Sequence, residues 1–135
     1  MVLALVFAGC GDIKPYVAAI DALPLPSSFE AVKTVTKVGL DMCLTCPQVH
    51  RYYVAEGELT DLRDDVKQAI VEAGYASVQV GAPNCDINDN TGLACSISAI
   101  KDGIHLQANV YRLDSDVDGL GLSEQGKSTI RIDAW

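Results

Sequence analysis

Two runs of strict alternation meet at Lys101-Asp102-Gly103, and this constrains the fold more than any other stretch of the chain. In Ala94 to Ile100, Cys95, Ile97 and Ala99 point one way and Ser96 and Ser98 the other. Ile104, Leu106, Ala108 and Val110 then alternate with His105, Gln107 and Asn109. An Asp-Gly pair between such runs supplies the positive φ angles of a tight hairpin turn. The segment is therefore two antiparallel strands, each with one apolar and one polar face. Val49 to Ala55, Ala76 to Val80 and Ser128 to Ala134 read as further strands, with Ile130 and Ile132 inward.

Those apolar faces need cover, and the sequence offers amphipathic helices. Leu62, Val66, Ala69, Ile70 and Ala73 recur at helical spacing, Thr60 can cap the start, and Gly74 stops the run. Asp61, Asp64 and Asp65 sit near its positive end. Ser27-Ser28-Phe29-Glu30 has the S-x-x-E form of a capping box and predicts a helix over about residues 28–39, ended by Gly39. Val32, Thr34, Val35, Thr36 and Val38 make a strand the alternative there. Pro15, Pro24 and Pro26 predict an irregular tether upstream. The expected fold is α+β, with one or two helices packed on one face of a mainly antiparallel sheet of four to five strands, wet on the other face. The expected divisions are a signal segment at 1–9, a tether at 10–26 and a single domain at 27–135.

The charge balance narrows the partners. Eighteen acidic residues against ten basic ones give a net charge of −8. Such a chain is repelled by phosphate backbones and anionic lipid surfaces, so nucleic acid is not an expected partner. His50 and His105 are the only two histidines, and neither lies in an H-E-x-x-H frame. No G-x-S-x-G or phosphate-cradling glycine loop occurs either, so the chain is not read as an enzyme. Tyr52 and Tyr53 must face opposite sides of their strand, one toward the core and the other toward a contact surface.

At the start of the chain an uncharged apolar run, MVLALVF, leads into Ala8-Gly9-Cys10. The run is far shorter than the roughly 20 residues of a membrane-spanning helix and reads as a processing segment. Phe7-Ala8-Gly9-Cys10 resembles the lipobox of bacterial lipoproteins. The resemblance implies cleavage after Gly9, a diacylglyceryl group on Cys10 and a mature protein held at a membrane outside the cytoplasm. Basic residues are absent before Lys14, so the true start is expected upstream. Membrane contact would come from the lipid, since two or more acyl chains anchor stably.

In that oxidising compartment Cys43, Cys46, Cys85 and Cys95 are expected in two disulfides. Three connectivities are open; Cys43 to Cys46 and Cys85 to Cys95 are favoured because both close locally. Two other chemistries compete for these residues. Cys43-Leu44-Thr45-Cys46 has the C-x-x-C spacing of a thiol-disulfide oxidoreductase, although Pro47 and a strand follow where a helix would be needed. A zinc site of all four cysteines would want a second C-x-x-C, which is missing.

Asp114-Ser115-Asp116-Val117-Asp118-Gly119 resembles the opening of an EF-hand-type calcium loop. The resemblance implies side-chain ligands from Asp114, Asp116 and Asp118 and a carbonyl from Leu120. It ends there, with Gln125 where the loop's closing Glu belongs, and a solvated acidic turn is the favoured reading. The sequence as a whole predicts a lipid-anchored envelope protein that acts as a binding or accessory module with an envelope protein partner. The alternatives are an envelope oxidoreductase using Cys43 and Cys46, or a module stabilised by calcium at residues 114–119.

Overall fold

A computed structural model of the protein describes residues 12–37, 47–81, 93–111 and 127–135. In chain order these form α1 (Lys14–Asp21), β1 (Glu30–Lys37), β2 (Gln48–Glu56), α2 (Leu59–Glu72), β3 (Ala76–Gly81), β4 (Leu93–Lys101), β5 (Ile104–Tyr111) and β6 (Lys127–Ala134). All six strands belong to one antiparallel sheet in the order β1-β2-β6-β5-β4-β3. The described structure is thus mostly sheet, which corrects the expected α+β arrangement of four to five strands.

The sixth strand is β1, the segment read as a helix from its capping box. Ser27 does not cap anything there: the Phe29 N–H donates to the Pro26 carbonyl at 3.0 Å, closing a turn. Beyond that turn Val32, Thr34, Val35 and Thr36 are stiff at χ1, and pairing with β2 outweighs the local helical signal.

Within the stretch read as a tether, residues 14–21 form the helix α1. Pro15 stands in the first turn of α1, where its missing N–H costs nothing and its fixed φ suits the helix. Eight residues are too few to hold a helix in water, so α1 depends on docking. It docks against β2 and β6, burying Ile20, and Leu23 just beyond the helix is buried too. Arg51 of β2 holds the far end, pairing with Asp21 and donating from Nε to the Thr34 hydroxyl at 3.1 Å. Burial alone would lower the pKa of that guanidinium, but its bonds to Asp21 and Tyr53 outweigh burial and raise it.

α2 follows its expected face, burying Leu59, Leu62, Val66, Ala69 and Ile70. It starts one residue before Thr60, with Glu58 in the capping position and no side-chain cap. Its end is a Schellman motif: the Gly74 N–H reaches the Val71 carbonyl at 3.0 Å and the Tyr75 N–H reaches that of Ile70 at 3.3 Å. Gly74 has φ +92°, which explains why glycine stands there. Lys101 Nζ donates to the Ala73 carbonyl at 2.6 Å, a cation at the negative end of the helix.

Both helices cover one sheet face. Ile20, Leu62, Val66 and Ile70 form one core with Val49, Tyr53, Ile97, Leu106, Val110, Ile130 and Ile132. The turn between β4 and β5 is the Asp102-Gly103 turn, with both residues at positive φ. The opposite face was expected to be wet. In the middle of the sheet it is not: Tyr52, Val54, Asn109, Tyr111, Thr129 and Asp133 are all buried there.

Candidate functional site

The face away from the helices is ordered in rows set by strand register. One row runs Tyr52, Arg131, Asn109, Ser96, Gly81 across β2, β6, β5, β4 and β3. The next runs His50, Asp133, Gln107, Ser98, Gln79. At the sheet end, His105 and Trp135 exchange backbone hydrogen bonds of 2.8 and 3.1 Å, and their rings stack with centroids 5.5 Å apart.

Asp133 organises the centre of this surface. Its Oδ1 accepts from His50 Nδ1 at 2.6 Å and its Oδ2 accepts from Arg131 Nε at 3.1 Å. A carboxylate only accepts, so the imidazole proton lies on Nδ1 and Nε2 is left facing away from Asp133. His50 Nε2 is buried without a partner. Asn109 Nδ2 is likewise buried and unpartnered. The Arg131 pKa is raised: burial would lower it, and the charge of Asp133, followed by Tyr52 and Tyr111, outweighs that. A buried polar atom left unpaired costs about 1–3 kcal/mol, so two on one face mark a surface that the described residues do not complete.

A concavity of about 250 Å³ lies between α1 and the end of α2, lined by Ala18, Ala19, Tyr75, Lys101 and Ile104 among others. Its ammonium is committed to the Ala73 carbonyl and to the Tyr75 ring, 5.6 Å from the centroid. That lysine therefore serves the helix end, and Asp102 is the other charged residue of the lining.

The residues singled out from sequence fall mostly elsewhere. Cys10, Cys43, Cys46, Cys85, Asp114, Asp116, Asp118 and Leu120 lie outside the described residues. Cys95 sits on the core face of β4, buried and disulfide-bonded. Among the described residues no group of three or more His, Cys, Asp or Glu side chains is placed to hold a metal ion, and no helix is long and apolar enough to cross a membrane. Tyr52 and Tyr53 do face opposite sides, but both are buried.

Asp133, Arg131 and Asn109 were not legible as a site. His50 and Asp133 are 83 residues apart. The signal available in sequence was two charged residues alternating with Ile130 and Ile132 on a strand, which ordinarily means a solvated face. Comparison with protein-family models, with characterised proteins and with solved structures gave no match.

Proposed function

We propose that the protein is a lipid-anchored module of the cell envelope that works by binding, through the helix-free face of its sheet, rather than by catalysis. Anchoring rests on the likeness of Phe7-Ala8-Gly9-Cys10 to a lipobox. Binding rests on one observation: His50 Nε2 and Asn109 Nδ2, on the same face, are buried without partners. The Asp133 and Arg131 charges between them are mutually compensated, so the surface is built to orient hydrogen bonds rather than to attract a charge.

The test is the intact mass of the chain recovered from a bacterial membrane fraction, compared with Cys10→Ala. Cleavage after Gly9 with an acylated Cys10, and release of Cys10→Ala from the membrane, is the expected result. An uncleaved, unacylated chain in the soluble fraction overturns the anchored reading.

A further inference from the structure

The half of the helix-free face formed by β3, β4 and β5 differs from the rest of this acidic chain. Among the described residues it presents no Asp, Glu, Lys or Arg side chain, although the protein carries a net charge of −8. Its middle is low. Gly81 lies beside Ser96, and a Cβ at Gly81 would meet Ser96 Oγ at 2.6 Å, so the hydroxyl occupies the space over the glycine. Ser98 continues the small residues into the next row.

On the β6 side the mutually paired Arg131 and Asp133 stand next to Asn109 and Gln107, and at the sheet end Ile100, 39% exposed, stands beside His105. Asn109, 4% exposed, stands beside Ser96 in the same row, and its Nδ2 lacks a partner. Gln107 stands beside Ser98. The stacked His105 and Trp135 rings close the sheet end.

Resting on the reading of this face as a binding surface, we infer that the β3–β4–β5 trough takes a neutral saccharide. Amides, hydroxyls and imidazole each match a hydroxyl, which donates and accepts at one atom. The absence of charge gives a carboxylate or an ammonium no advantage. The aromatic pair offers a flat apolar surface on which the C–H face of a sugar ring packs.

The experiment is an NMR titration of the full chain in micelles of a zwitterionic detergent with no sugar head group. The probes are maltose, cellobiose and chitobiose, with sodium acetate as a separate arm. Saturable shifts at Ser96, Ser98, Gln107 and the Asn109 side-chain amide with at least one disaccharide, and none with acetate, are expected. Gln107→Ala should weaken binding by about fivefold, the worth of one neutral hydrogen bond. Ser98→Leu, at an exposed position, should fill the trough and abolish the shifts while leaving the rest of the spectrum in place. Acetate shifting these residues in place of the sugars would overturn the saccharide and leave the binding face standing. No response to any disaccharide from a folded chain would also overturn the saccharide, and the membrane mass experiment would be unaffected by either result.

Discussion

Asp133 holds His50 with one oxygen and Arg131 with the other; the carboxylate is buried and its two partners are half-buried. Removing the carboxylate would strand an imidazole N–H and a guanidinium together. Asp133→Ala is therefore expected to cost about 2–3 kcal/mol in urea denaturation, and Asp133→Asn less, since an amide oxygen still accepts. The buried tyrosines make a separate demand on pH. Burial raises the pKa of Tyr75, helped by Asp102, and burial raises that of Tyr53 despite the opposing Arg51. The folded state thus resists ionising phenols that the unfolded chain ionises near pH 10. The stability they contribute is present in full below that pH and is lost as pH rises through the raised folded values. Melting at pH 9 and pH 11 should show a fall, and Tyr75→Phe should make the fall smaller.

Among the elements, those with local causes were the easiest to read. α2 has its apolar stripe, and Gly74 stops it because the Schellman motif needs positive φ. Gly74→Ala is expected to lower stability by about 1–2 kcal/mol, the cost of a Cβ in left-handed backbone. A denaturation midpoint unchanged by that substitution would show that the helix end can rearrange. β1 and α1 were misread because their local signals point the wrong way. Ser27 to Glu30 has the letters of a capping box, yet its hydroxyls meet a turn, and the β-branched residues that follow pair with β2. α1 has prolines that look like a linker, but one of them sits where a helix tolerates it, and Ile20 has a core to enter. In each case a long-range partner outweighed a preference of a few tenths of a kcal/mol per residue.

For the molecule as a whole the decisive fact is the position of β6. The last strand in the chain lies in the middle of the sheet, between β2 and β5, with Ile130 and Ile132 fully buried. Ile132→Ala should cost about 2–5 kcal/mol, read from chemical denaturation, as a cavity in a rigid core does. Deleting residues 127–135 should leave a chain without cooperative melting, because β2 and β5 would each lose a neighbour. The same placement brings Arg131 and Asp133 between His50 and Asn109. The candidate surface thus exists only once β6 has paired with both β2 and β5.

Residue order alone settled the features whose causes lie within a few positions: the alternation of β4 and β5, the Asp102-Gly103 turn, the stripe and stop of α2, and the acidic balance. Strand order and the identity of the neighbours on the helix-free face came from the assembled sheet. Alternation says that His50 and Asp133 each leave their strand on the polar side, but not that β2 lies beside β6 in the register that joins them. That register is chosen by the burial of Val49, Tyr53, Ile130 and Ile132 against the helices on the other face, since slipping by one residue would turn every one of them outward.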